Sequence, residues 1–594
     1  MDKTLNIFMK FFSGVNDKVL RRRNLGTVCS EVVLLLASAF ILAMAHPSFL
    51  SDDGFGFLAF FALIPVFAVI RNCTWKVASL YGFLFGCAYY AIFNYWLTTF
   101  HPYAILIVTI IKAVEMLLLF TALKAVDSWF SKILNGKFSK LIPLLQAIVW
   151  VAYSYLSQSW FAGYPYGTIA YALYRYKVLI QIADLFGIWG LNFMLVLPQA
   201  FLGAWLCDHY SKTKTLQSDG LLQHLKANKI LVIAYAVLLV AQIIYGIITL
   251  NFWQNAEEDN SFRVATVQHN ADSWKGGFTT YKKNFLNLKR MSLEAAQENP
   301  DMIIWSETAF VPSVDWYTNY PYEGDDEGST FDYLRNIQEL VDEFVEFGTQ
   351  LGIPLLTGNP SGVIKDESQP PYDEEGNWNK TEYNTVILFD DGQIKQTYRK
   401  QHLVPFTEHF PYEKEMPWLY NLLKANDYHW WEKGTESVVF ETSNGIKFST
   451  PICFEDVFGD ICANFVSAGA DLIVNMTNDS WSGAVSAERQ HMAMAVFRSV
   501  ENRRTTIRGT NSGITCLITP DGTVQGEMEP FKMGWKIWDV PVYSSETYGT
   551  TLYTKTVDLS AKICTYVSYA ILAFGLAMTI AELIAKKRKK AGEK

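Results

Sequence analysis

The sequence predicts a polytopic α-helical membrane domain of eight spans, with a layered α/β domain inserted before the last span. Three observations predict it. Seven apolar runs of spanning length precede residue 251, and one more lies near the C-terminus. Lys and Arg concentrate on alternate connecting segments. From Ser261 onward, short β-branched runs alternate with longer helical ones.

The N-terminal residues are basic (Lys18, Arg21, Arg22, Arg23), and the run 28–45 follows without a small-residue cleavage site. That pattern reads as an uncleaved anchor rather than a signal peptide. The further runs are 54–70, 77–98, 103–123, 141–163, 179–207, 230–250 and 564–585. Each is long enough, as a helix, for a hydrocarbon core of about 30 Å. With the N-terminus inside, the inner segments 1–27, 71–76, 124–140, 208–229 and 586–594 hold 22 Lys and Arg. The outer loops 46–53, 99–102 and 164–178 hold 2. The positive-inside rule selects this orientation, and seven spans then leave 251–563 outside and return the basic tail to the cytoplasm. Glu31, Lys112, Glu115 and Asp184 fall within spans. Lys112 and Glu115 are three apart and can pair on one helix face. A packed pair or an interfacial charge is the reading favoured over a functional one.

The domain boundaries read as 1–250 for the membrane domain, 251–260 for a linker and 261–545 for the α/β domain. Residues 546–585 form a return segment with the eighth helix, and 586–594 a basic tail. A net charge of −8 argues against nucleic-acid binding. The eight cysteines form no CxxC and no Cys/His cluster, so neither a metal site nor a cofactor is expected.

Strands are expected at 262–268, 302–305, 353–357, 385–389, 394–398, 447–452, 472–474, 505–508 and 514–518, and helices at 280–297, 331–351, 456–468 and 486–502. Asp391-Gly392 and Asp521-Gly522 read as hairpin turns. The acidic stretches 318–330 and 364–380, rich in Gly, Pro and Asn, read as surface loops.

Three stretches hold candidate chemistry. IIWSETAF ends an apolar run at Glu307, YRKQHLVPFTEHFPY carries Lys400 and Glu408, and PICFEDVF carries Cys453 and Glu455. Cys453 is expected on a strand-to-helix turn, where backbone N–H groups favour the thiolate. As a nucleophile it would attack a carbonyl, with Glu307 moving the proton. Lys400 would support the oxyanion together with the backbone N–H of Phe454. Glu408 and Glu455 would hold Lys400 charged and orient the reacting groups. Taken singly, each residue is more often structural: a capping Glu, a solvated Lys, a packed Cys.

The surrounding words change the odds. HLVPFTE (402–408), PICFED (451–456), NDSWSG (478–483), QHMAMAVFRSVE (490–501), RGTNSGIT (508–515) and FAGYPYGTIAYALYRY (161–176) occur in the order in which similar stretches occur in one family. The chain resembles the apolipoprotein N-acyltransferases, the membrane branch of the nitrilase (carbon-nitrogen hydrolase) superfamily. The resemblance implies a nitrilase-like αββα sandwich outside the membrane and a Glu307-Lys400-Cys453 triad supported by Glu408 and Glu455. It also implies a site asparagine at Asn384 and substrate-side tryptophans at Trp274 and Trp481. Phe454, Thr407 and Ser482 stand where tyrosine, glycine and phenylalanine are usual.

The implied reaction is a ping-pong acyl transfer through a thioester. The donor is a phospholipid, commonly phosphatidylethanolamine, and the acceptor is the N-terminal amine of a diacylglyceryl-cysteine apolipoprotein. The implied place is the bacterial inner membrane, with the catalytic domain periplasmic and both termini cytoplasmic. Both substrates are lipid-anchored, which suits a site at bilayer height. Two other readings are a membrane-tethered amidase that transfers the acyl group to water and a transporter or receptor with a large outer domain. Seven spans exceed what a tether needs, and no inverted hydropathy repeat supports a transporter.

Overall fold

The computed structural model describes residues 24–100, 103–160, 162–213, 218–272, 275–324, 327–410, 412–424 and 430–592. The chain divides into two compact units, Met1–Asn251 with Asp558–Lys594, and Phe252–Val557.

The first unit is helical. It contains α1 (Leu25–Ala45), α2 (Trp75–Phe93), α3 (Ala104–Phe130), α4 (Ile142–Ser159), α5 (Ala183–Thr213) and α6 (Lys229–Gln254), with a C-terminal helix Leu559–Gly592. Among the described residues these are the 7 helices long and apolar enough to cross a membrane. The expected second span, 54–70, differs: it folds as a 3-10 turn, Gly56–Phe60, and a short helix, Ile64–Asn72. Pro65 lies in the first turn of that helix, where a missing N–H starts a helix but cannot continue one.

The charges within spans all have protein partners. Lys112 Nζ lies 2.5 Å from Glu115 Oε2. Glu31 accepts from Asn72 Nδ2 at 2.6 Å and from the Tyr81 hydroxyl at 2.8 Å. Asp184 accepts from the Tyr245 hydroxyl at 2.8 Å. These are packed polar pairs, which is how an ionisable group is tolerated at membrane depth.

Among its described residues the second unit holds twelve strands: β1 (Asn260–Gln268), β2 (Met302–Ile304), β3 (Leu355–Ile364), β4 (Lys380–Asp390), β5 (Gln393–Arg399), β6 (Phe440–Glu441), β7 (Lys447–Ser449), β8 (Leu472–Thr477), β9 (Thr505–Thr510), β10 (Cys516–Ile518), β11 (Val524–Gln525) and β12 (Gly534–Val542). They form two six-stranded sheets, ordered β12-β1-β2-β3-β4-β5 and β11-β10-β9-β8-β7-β6. In each, three central strands run parallel and the outer ones antiparallel. Asp391 (φ 49°) and Gly392 (φ 74°) make the expected two-residue turn between β4 and β5.

Strand alternation assigns the faces. Phe262, Val264, Met302, Ile304, Leu356, Val386 and Leu388 meet Phe448, Leu472, Val474 and Ile507 in a core between the sheets. Their neighbours Ala265, Val267, Ile303, Trp305, Leu355, Ile387 and Phe389 face α7 (Phe278–Ala296) and α8 (Ser329–Leu351). On the other side lie α9 (Gly459–Ser467) and α10 (Val485–Asn502). The layers are therefore helix, sheet, sheet, helix. The helix expected from 456 begins at Gly459, because Cys453–Val457 forms a separate 3-10 turn.

Phe344 on α8 is fully buried and stacks on Phe310 at 4.5 Å, with Phe389 at 5.2 Å and Trp305 at 6.0 Å. Phe344→Ala is expected to destabilise this unit by about 3–5 kcal/mol, read as a lowered unfolding midpoint of the full chain by tryptophan fluorescence.

Candidate active site

Three strand ends deliver the candidate residues. Glu307 follows β2, Lys400 directly follows β5, and Cys453 lies four residues beyond β7. β2 is central in its sheet, β5 is that sheet's edge strand, and β7 is next to the edge of the other sheet. Gly358 of β3 admits Glu307 to its position. A Cβ there would lie 2.2 Å from the Thr308 nitrogen and 2.7 Å from the Glu307 backbone. Only glycine allows this approach.

Lys400 is 1 % exposed, and its ammonium is bracketed by carboxylates. Nζ lies 3.1 Å from Glu307 Oε1 and 2.8 Å from Glu408 Oε1. Asn384 Nδ2 donates to the same two oxygens, at 2.9 and 3.2 Å. The free lone pairs are also used: Asn478 N donates to Glu307 Oε2 at 3.0 Å, and Val404 N to Glu408 Oε2 at 2.8 Å. Burial alone would push the Lys400 ammonium down. Glu307, then Glu408, outweigh it and hold the group well above its ordinary range.

Cys453 is 8 % exposed and adopts φ 48°, the left-handed region. A non-glycine residue pays about 1–3 kcal/mol for such a conformation, which is found where a side chain must be aimed. Asn475 Nδ2 supports the turn from β8, donating to the Pro451 carbonyl at 3.1 Å. The expectation that the turn favours a thiolate is not met. Burial, then the Glu307 carboxylate, push the thiol well above its ordinary range, against the pull of Lys400. The turn is a single 3-10 turn, too short to offset desolvation. The resting sulfur is a thiol, and it needs a base to react.

Glu408 pairs with Lys400 as expected. Glu455 does something else. It accepts from the backbone N–H of Gln401 at 2.7 Å, His402 at 2.9 Å and Ile452 at 2.8 Å, and from the Tyr398 hydroxyl at 2.9 Å. It thus ties the chain after Lys400 to the chain before Cys453, and reaches the ammonium only through its field. Burial pushes its carboxyl up to about 7, against those N–H donors. Phe454 is half-buried, edge-on to Phe458 at 5.1 Å and tilted against His402 at 5.9 Å. Trp481 is half-buried in the turn Ser480–Ser482 after β8. Trp274 lies outside the described residues.

Sequence reasoning missed a buried charge cluster next to the Cys453 turn. His491 on α10 lies between two aspartates, with Nε2 2.7 Å from Asp456 Oδ1 and Nδ1 2.9 Å from Asp479 Oδ1. Arg508 on β9 pairs with Asp456 and lies 3.7 Å from Asp479 Oδ2. Glu488 accepts from the Ser482 hydroxyl at 2.6 Å. Burial would lower His491, but Asp479 and Asp456 push it up to about 9. Burial and Asp479 hold the Glu488 carboxyl well above its ordinary range. A signal was present in the QH and ND pairs, but a polar residue on a helix normally reads as exposed.

Chemically, the arrangement offers a buried thiol, a carboxylate to take its proton and an ammonium to meet an oxyanion. Among the described residues no cluster of His, Cys, Asp and Glu could hold a metal ion.

Comparison with known proteins gives a consistent picture. A family profile described as the apolipoprotein N-acyltransferase N-terminal domain matches residues 38–201, and one for carbon-nitrogen hydrolases matches residues 263–548. Apolipoprotein N-acyltransferase 1 of Treponema denticola is 36% identical over 551 residues, covering 92% of this chain and 96% of its own. The protein of the same name from Treponema pallidum is 34% identical over 526 residues, covering 86% and 90%. Among solved structures, an amidase from Nesterenkonia sp. aligns with TM-score 0.32 and 16% identity, over 47% of this chain and 90% of its own.

Two outcomes follow from this geometry. Gly358→Ala displaces Glu307, and is expected to slow alkylation of Cys453 by iodoacetamide about 10²-fold, followed by peptide mass spectrometry. The second concerns pH. The folded value of His491, about 9, lies above its ordinary 6.5. Its stabilising contribution is complete below pH 6.5 and is lost as the pH rises through about 9. The thermal midpoint of the full chain is expected to fall over that window, and His491→Gln to flatten the slope.

Proposed function

The chain belongs to the apolipoprotein N-acyltransferase family, and we propose that its site moves a fatty acyl chain from a phospholipid to the N-terminal amine of diacylglyceryl-cysteine apolipoproteins. Glu307, Lys400 and Cys453 carry the chemistry. The observation that carries this reading is the buried Lys400 ammonium, 3.1 Å from Glu307 and 2.8 Å from Glu408, bearing on the Cys453 thiol.

In the first half-reaction Glu307 takes the thiol proton as Cys453 Sγ attacks the ester carbonyl. Charge builds on the carbonyl oxygen, where Lys400 and the Phe454 N–H stabilise it. The carbon–oxygen bond breaks, Glu307 returns the proton to the leaving alkoxide, and a lysophospholipid departs. A thioester remains on Cys453. In the second half-reaction Glu307 takes a proton from the acceptor amine as its nitrogen attacks the thioester. The carbon–sulfur bond breaks and the proton returns to sulfur. Glu408 and Asn384 keep Lys400 and Glu307 in register, while Trp274 and Trp481 contact the acyl substrates.

We assign the donor as phosphatidylethanolamine and the protein as a multi-pass inner-membrane enzyme. We assign residues 54–70, a 3-10 turn followed by a short helix, as a broken eighth crossing, with the catalytic domain periplasmic and both termini cytoplasmic. The bias of 22 Lys and Arg against 2 supports that orientation. Holding both lipid-anchored substrates beside one site turns an improbable encounter into a local one.

Incubation with phospholipid is expected to leave an acyl adduct on Cys453, detected by intact mass, that disappears in Cys453→Ala. An adduct released only to water would instead identify a hydrolase, and the absence of any adduct would remove the acyl-transfer reading. Lys400→Ala is expected to slow adduct formation about 10²–10³-fold, with the membrane layout unchanged.

A further inference from the structure

Cys453 and the Asn478 N–H that holds Glu307 sit on two separate turns, and a single side chain joins those turns. Asp456 lies three residues after Cys453, in the same 3-10 turn. Asp479 directly follows Asn478, whose N–H holds Glu307 Oε2. His491 hydrogen-bonds both aspartates, at 2.7 and 2.9 Å. Both ring nitrogens face carboxylate oxygens, so both donate and the ring is an imidazolium. The geometry points to His491 as a positioning residue that fixes the Cys453 turn against the turn after β8, whose Asn478 N–H holds Glu307. This inference rests on the reading of Cys453 as nucleophile and Glu307 as base.

The cluster is closed on itself. Asp456 and Asp479 are opposed by His491 and Arg508, two charges against two, and Glu488 accepts from the Ser482 hydroxyl beside them. The remaining charged groups around it pair with each other: Arg498 Nη2 with Glu501 Oε2 at 2.7 Å, while Arg498 Nη1 donates to the Val457 carbonyl at 2.7 Å, at the end of the same turn. The thiols nearest the cluster, Cys462 on α9 and Cys516 on β10, are buried, and burial pushes both well up, so they add no charge. All of these groups are at most 4 % exposed. In that setting, losing one charge leaves its partner buried and unpaired, which strongly destabilises the local arrangement. His491 is thus the cation that lets two aspartates on separate turns share one point of attachment.

The test compares His491→Gln with the charge-balanced pair Asp456→Asn/His491→Gln in the full-length protein. Two readouts are used: acyl transfer from phospholipid, and alkylation of Cys453 by iodoacetamide, which needs no lipid. His491→Gln is expected to lower kcat and the alkylation rate about 10²-fold, with KM for phospholipid within about twofold. The double variant, which restores neutrality, is expected to recover both rates to within about tenfold of wild type. Unchanged rates in His491→Gln overturn the inference, as does a loss explained by KM or one the double variant fails to recover. If His491→Gln does not fold, the double variant decides alone: folded and active supports the inference, folded and inactive or unfolded overturns it. If wild type alkylates but transfers no acyl chain, the acyltransferase reading fails, and the alkylation arm still judges His491.

Discussion

The constraint on which this site depends is the placement of one ammonium in a dry interior. Lys400 is buried to 1 % exposure and can be charged there only because Glu307 and Glu408 both reach it. Two carboxylates against one cation leave an excess negative charge. The amide groups of Asn384, Asn478 and Val404 absorb it. A buried ion missing any of these partners would cost several kcal/mol. The requirement reaches far along the chain, because these donors come from β4, from the turn after β8 and from the loop beyond β5. The two sheets are held in register as much by this polar knot as by the apolar core between them.

Two further layers of polar structure support the knot. Glu455 ties the main chain on either side of the site through three backbone N–H groups, so its carboxylate acts on geometry more than on charge. Beneath it, the aspartates held by His491 and Arg508 fix the turns themselves. Buried polar networks of this kind define one arrangement rather than adding much net stability. That suits a centre whose reacting atoms must stay within a few tenths of an ångström through two half-reactions.

Much of this was legible in the sequence, for identifiable reasons. Glu307 and Cys453 each follow an apolar run, and Lys400, Asn384 and Glu408 sit in stretches with strong family resemblance. The deep network was not legible, because Glu488, His491 and Arg498 lie on a helix buried on nearly every side. There the usual equation of polar with exposed fails. Strand β12 was missed because Lys536, Asp539 and Pro541 interrupt its pattern. It runs along a sheet edge, paired only with β1, where such residues are tolerated. The break in 54–70 depends on Pro65, which a hydropathy window does not register.

The neutral state of Cys453 bears on how the protein endures between turnovers. Disulfide exchange and peroxide attack both proceed through the sulfur anion. Burial and Glu307 keep the anion scarce, and in the proposed reaction it forms only as Glu307 takes the proton during attack on the ester. The sulfur is therefore shielded from oxidants by the same surroundings that make it depend on a base. All eight cysteines are free thiols among the described residues, and burial thus shields the proposed nucleophile without a disulfide.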